Sequence, residues 1–229
     1  MNKNNELVSV IMSVYNAENT IANSIESILS QTYKNIEILI MDDASTDGTL
    51  DILEKYALEN TNLKIFKNLS NLGLTKSLNK LIYFSNGEYI ARQDADDISF
   101  KKRLEIQIIF LKKNNLDAVA TQALDASSGL KVHRRTGFLP VRVLMKFKNP
   151  FIHGTLLIKK STLEEIGNYD ERFYYSQDFK LMKDLYDKKF KIKIIKDVLY
   201  KLNTQNNIST NFQEKQKYFF DCARKGLIP

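Results

Sequence analysis

The chain has 229 residues, of which 43% are hydrophobic, with three prolines, eight glycines and one cysteine. That length and composition suit one large globular domain, or two small ones, with a sizeable core; they argue against a long flexible linker and exclude an intrachain disulfide. The 34 basic and 27 acidic residues leave a formal charge of +7, spread along the sequence without the aromatic interleaving of a single-strand platform, so nucleic acid is not an expected partner.

Leu7–Val14, LVSVIMSV, reads as a buried strand, and Ile21, Ile25, Ile28 and Leu29 recur at helical spacing in the next segment. Ile36–Met41 is a second strand, ending in the turn-rich DDASTDGT. A helix over Thr49–Leu58, a strand over Leu63–Phe66, a helix over Leu74–Phe84 and a strand over Glu88–Ala91 follow. This alternation implies βαβ units, hence an α/β fold with a mostly parallel central sheet and helices on both faces.

Beyond residue 100 the pattern loosens. Helices are expected over Lys101–Lys113, Phe179–Tyr186 and Phe212–Lys225. Strands are expected over Ala118–Leu124, Leu156–Ile158 and Phe190–Ile195, with a hairpin at Leu130–Arg135. The division expected is a first half over 1–100, a second half of the same domain over 101–200, and a C-terminal helical extension over 201–229. No apolar run approaches the roughly 20 residues of a membrane span, and the start of the chain lacks a signal-peptide core, so a cytoplasmic location is expected.

In parallel sheets ligands gather beyond the carboxyl ends of the strands. Three polar clusters fall there: Ser13 to Asn16, Asp42 to Asp47, and Asp94 to Asp97. The last, in YIARQDADDIS, concentrates negative charge in a positively charged chain. A hard divalent cation such as Mg²⁺ or Mn²⁺, held by Asp94 and Asp96, would cancel that repulsion; the alternative is a solvated turn before the next helix. Asp43 is placed to accept from an N–H on a base edge. Asp47 is read as a helix cap.

Taken together, SVIMSVYNAENTIANSIESILSQTY, IEILIMDDASTDGT, NLGLTKSLNKLI and GEYIARQDADDIS, in this order, resemble the family 2 glycosyltransferases of the GT-A fold. HGTLLIKKS and FYYSQDFKLMKDL resemble that family's looser later motifs. The resemblance implies a smaller C-terminal acceptor-side region and a UDP-sugar donor. Asp43 would recognise the uracil, and Ser13, Tyr15, Asn16, Asn71, Gly73 and Lys76 would complete the nucleotide pocket. Asp94 would lie near the ribose or the metal shell, and Asp96 would bind Mn²⁺ or Mg²⁺. Arg92 would orient these carboxylates or touch the diphosphate; its plainer role is an ion pair with Asp94.

The resemblance also implies inversion at the sugar C1, with Asp178 as general base. The family has Glu-Asp where this chain has Gln177-Asp178, so acceptor contacts at Gln177 are expected to differ. Asp178 would equally serve as a helix N-cap. His153 is expected near the diphosphate or acceptor, and His133 at the surface. The acceptor implied is a glycan or a lipid-linked sugar of a bacterial surface polysaccharide. Peripheral membrane contact through 212–229 and a homodimer are the further partners to test. Two other readings are a sugar-phosphate nucleotidyltransferase, against which stands SVYNAEN in place of a Gly-rich phosphate loop, and a non-catalytic nucleotide-sugar binder.

Overall fold

The computed structural model describes residues 6–132, 141–205 and 212–229. In chain order the elements are β1 (Val8–Val14), α1 (Ile21–Leu29), β2 (Ile36–Asp42), α2 (Thr49–Glu59), β3 (Leu63–Lys67), α3 (Leu74–Phe84), β4 (Tyr89–Arg92), β5 (Ile98–Ser99), α4 (Arg103–Lys113), β6 (Ala118–Asp125), α5 (Val141–Leu144), β7 (Leu157–Lys159), α6 (Lys160–Ile166), α7 (Gln177–Asp187), β8 (Ile192–Leu202) and α8 (Gln213–Lys225). A single 3₁₀ turn, His153–Thr155, precedes β7.

Eight strands form one sheet in the order β3-β2-β1-β4-β7-β6-β8-β5. The first four are mutually parallel. β7 runs antiparallel between β4 and β6, β8 is parallel to β6, and the two-residue β5 closes the edge antiparallel to β8. β1 and β2 are apolar almost throughout because both of their faces are covered. Successive side chains point to opposite faces. Ile11 and Leu39 therefore join a core built with α3, α7 and α8, while Val10, Met12, Ile38 and Ile40 join a second core built with α1, α2 and α4.

The second half departs from the expected boundaries. The strand after HGT begins at Leu157, because the Leu156 N–H is turned back to the His153 carbonyl at 3.1 Å as the cap of the 3₁₀ turn. β8 runs seven residues past Ile195, kept on β6 by register shifts around Gln122 that set Tyr200 opposite Ala123. α4 starts at Arg103, not Lys101. The short helices α5 and α6 have too few turns to show a period. Of the hairpin at 130–135, the described part forms the antiparallel bridge Leu124–Lys131; His133 and its expected surface position lie outside the described residues.

Candidate active site

β1 and β2 end side by side, with Val14 opposite Asp42 and the Asp43 N–H donating to the Val14 carbonyl at 2.8 Å. Asp43 is buried. Its Oδ1 accepts from Asn68 Nδ2 at 2.7 Å and from the Leu72 N–H at 2.8 Å, and its Oδ2 from the Gly73 N–H at 2.8 Å. One carboxylate thus folds the NLGL loop over itself and keeps a lone pair on Oδ2. Gly73 has φ +85°, and a Cβ there would lie 2.6 Å from Tyr174 Cε2, so backbone and space both require glycine. Asn71 and Lys76 are exposed on the loop and first turn that carry these amides.

Ser13 is half-buried and Tyr15 is exposed. Asn16 has φ +49°; its Oδ1 accepts the Thr46 N–H at 2.8 Å and its own N–H donates to Ser45 Oγ at 3.0 Å. Its side chain therefore laces the first two loops together. Asp47 Oδ1 accepts the Thr49 N–H at 3.0 Å, a capping bond from one residue before the N-cap, Gly48.

The acidic loop rests on two buried arginines, the largest fully buried side chains described. Arg92 is 1% exposed; it pairs with Asp94 Oδ1 and donates to the Gln93 carbonyl. Arg103, with no exposed surface, donates Nη1 to Gln93 Oε1, Ser99 Oγ and the Gly154 carbonyl at 3.0, 2.7 and 3.1 Å. Its Nη2 reaches the Arg92 carbonyl at 2.7 Å and its Nε reaches Gln107 Oε1 at 3.1 Å. Burial lowers its pKa to about 10, so it stays charged at neutral pH.

Tyr200 closes the loop from β8. Its hydroxyl accepts the Asp94 N–H at 3.2 Å. Burial and the Asp94 charge raise the pKa of Asp96. Asp97, 1% exposed, is pushed up to about 8 by burial, then by Asp94. It accepts the Asn203 N–H at 2.6 Å, while its buried Oδ2 has no hydrogen-bond partner.

The divalent cation implied by the resemblance fits this donor set. The ligand atoms are hard oxygens, burial and the Asp94 charge outweigh the Asn203 and Arg92 contributions at Asp96, and a buried oxygen of Asp97 stands unpaired. Among the described residues no group of three or more His, Cys, Asp or Glu side chains is placed to hold an ion alone.

Asp178 lies in the first turn of α7, and the N-cap is Ser176, which corrects the expectation that Asp178 caps the helix. Gln177, its first residue, is half-buried. Asn149 Nδ2 donates to Asp178 Oδ2 at 2.7 Å. Burial raises the Asp178 pKa, and the charge of Asp94 adds to the rise. His153 Nε2 pairs with the Tyr169 hydroxyl at 2.7 Å; burial, then Arg92, lowers the His153 pKa to about 3, so the ring is neutral near pH 7.

The charge of Asp94 acts on His153, Tyr169 and Asp178 alike. The segment between Tyr169 and Asp178 also straps onto α3. Thr75 Oγ1 donates to the Phe173 carbonyl at 3.1 Å, and Asn79 exchanges hydrogen bonds with the Tyr169 backbone at 2.9 and 3.0 Å. Sequence reasoning missed Asp97, Arg103, Asn149, Tyr169 and Tyr200. Each has a partner between 10 and 106 positions away in sequence, and only Asp97 carried a signal, as the third carboxylate of the loop.

Residues 9–212 match the family described as Glycosyl transferase family 2. EpsE of Bacillus subtilis (strain 168), named as a glycosyltransferase, is 39% identical over 205 residues, which cover 87% of this chain and 74% of EpsE. WfgD of Escherichia coli, a UDP-Glc:α-D-GlcNAc-diphosphoundecaprenol β-1,3-glucosyltransferase, is 41% identical over 111 residues, 48% of this chain and 43% of that enzyme. The solved structure of S. aureus TarS 1-349 in complex with UDP-GlcNAc superposes with a TM-score of 0.76 at 22% identity, covering 93% of this chain and 65% of that one. The mannosyltransferase PcManGT of Pyrobaculum calidifontis, in complex with GDP-Man and Mn²⁺, gives a TM-score of 0.73 at 20% identity, covering 91% and 60%. With residues 9–212 matched to the family model and the fold shared with these solved structures, this chain belongs to glycosyl transferase family 2 and has the GT-A fold.

Proposed function

We propose that the chain transfers a hexose or N-acetylhexosamine from a UDP-sugar to a glycan or lipid-linked acceptor, with inversion at C1, in the building of a bacterial surface polysaccharide. The observation that carries this reading is Asp178: a half-buried carboxylate of raised pKa, oriented by Asn149, in the field of Asp94. A base must be near the acceptor yet across the cleft from the donor phosphates, and basic enough to take a hydroxyl proton. The donor named for WfgD is UDP-Glc, and the ligand named in the TarS complex is UDP-GlcNAc.

In this mechanism Asp43 receives an N–H of the uracil on the lone pair left on Oδ2. Asp94 and Asp96 would hold Mn²⁺ or Mg²⁺, which would supply Lewis-acid stabilisation of the charge on the departing diphosphate. The Asp178 carboxylate takes the proton of the acceptor hydroxyl as that oxygen bonds to C1. The bond from C1 to the diphosphate oxygen breaks, its electron pair leaves with UDP, and C1 inverts because attack and departure are on opposite faces. The neutral His153 offers a hydrogen bond without adding positive charge beside Arg92. A lipid-linked acceptor would place the reaction at the inner face of the cell membrane; no helix among the described residues is long and apolar enough to cross it.

The test is UDP release over a panel of UDP-sugars with Mn²⁺, with and without EDTA. Asp178→Asn should keep UDP binding and lose transfer by roughly 10² to 10⁴-fold, the usual worth of a general base. Asp96→Ala should weaken metal-dependent UDP binding. Transfer at the native rate by Asp178→Asn, or full activity in EDTA, defeats the corresponding half of the reading.

A further inference from the structure

Two residues before Asp178 the backbone is strained. Ser176 sits at φ +52°, ψ +26°, the left-handed region that a residue with a side chain keeps only where its surroundings hold it there. The holder is one residue of α8. The Ser176 N–H donates to Gln216 Oε1 at 3.1 Å. Its Oγ–H is shared between that oxygen, at 2.8 Å, and the Gln216 carbonyl, at 2.9 Å.

These contacts cross 40 residues of sequence and meet at a site that is only 6% exposed. α8 also grips the far side of Asp178, where the Phe179 and Phe220 rings lie 4.1 Å apart. Tyr175 and Phe219 pack at 5.5 Å on the near side. Gln216 falls beyond the residues matched to the family, which end at 212.

We propose that Gln216 is a positioning residue for Asp178: by holding Ser176 left-handed it fixes the start of α7, and with it the direction in which the Asp178 carboxylate enters the cleft. This rests on the reading of Asp178 as the base. The Gln216 hydrogen bonds run to Ser176 and not to the NLGL or acidic loop among the described residues, so its removal should spare the nucleotide side.

The experiment measures kcat and UDP affinity for Gln216→Ala, Gln216→Glu and the double variant Gln216→Ala/Ser176→Gly, with Asp178→Asn alongside. Gln216→Ala should lose about 10- to 100-fold in kcat, the scale of a small misplacement of a reacting group, with UDP affinity within about 2-fold of native. Gln216→Glu keeps an acceptor oxygen in place and should stay within about 3-fold of native kcat. Adding Ser176→Gly to Gln216→Ala should recover at least about 3-fold, because glycine enters the left-handed region without a holder.

Native kcat in Gln216→Ala, or parallel loss of kcat and UDP affinity, overturns the proposal. Should Gln216→Ala fail to fold, Gln216→Met at the same temperature as Gln216→Glu replaces it, and equal kcat in those two is the overturning result. Loss of transfer in Asp178→Asn with native kcat in Gln216→Ala defeats the positioning role alone; native transfer in Asp178→Asn defeats the base reading itself.

Discussion

Asp178 illustrates how one carboxylate is tuned by its neighbours. Burial and the Asp94 charge disfavour its ionised form, while the amide of Asn149 favours it. Removing that amide by Asn149→Ala therefore moves the Asp178 pKa further up. With Asp178 as the proposed base, active only when deprotonated, the acid limb of the kcat profile should shift to higher pH. The activity lost at mildly acidic pH should return on going alkaline. A pH–kcat series on both proteins checks this; an unmoved limb, or one displaced downward, contradicts it. His153 does not interfere, because a ring with a pKa near 3 does not change charge across that range.

Between elements, the 3₁₀ turn at His153–Thr155 shows how little room the site leaves. Gly154 packs against the acidic loop and β8 together: a Cβ would lie 2.7 Å from Asp94 Oδ2 and closer still to the Tyr200 hydroxyl. Its carbonyl meanwhile accepts from Arg103. Gly154→Ala must push one of these groups away, which costs about 1–3 kcal/mol of stability by overpacking. Because Asp94 and Tyr200 are what it displaces, the proposed role of Asp94 in the metal site entails that Mn²⁺-dependent UDP binding weakens as well. Urea midpoints and a UDP titration with the metal measure the two effects; an alanine accommodated with neither change would show that the turn has slack.

Across the whole molecule, Arg103 joins the two halves of the sheet. It ties α4 to the acidic loop after β4, to β5, and to the turn before β7. Arg103→Met would keep much of the volume and strip the guanidinium from five oxygen acceptors in a dry interior. Each orphaned group costs about 1–3 kcal/mol, so a loss of at least about 3 kcal/mol is expected. Urea denaturation checks it, and a change under about 1 kcal/mol would mean that water or rearrangement replaces the guanidinium.

The sequence by itself determined the βαβ order, because apolar runs of strand length alternate with stripes such as Ile21, Ile25 and Ile28 whose period needs no partner to be visible. It also placed Asp43, Asp94 and Asp178 next to strand or helix ends, since motifs in turns are local. Only the tertiary structure decided which carboxylates are buried, that Asp97 lies inward with an unpaired oxygen while Asp96 stays half-exposed, and that α8 packs against α7 beside the segment bearing Asp178. The reason is physical. Desolvation and long-range hydrogen bonds depend on what folds over a residue, and Arg103, Asn149, Tyr200 and Gln216 acquire their partners only when distant segments meet.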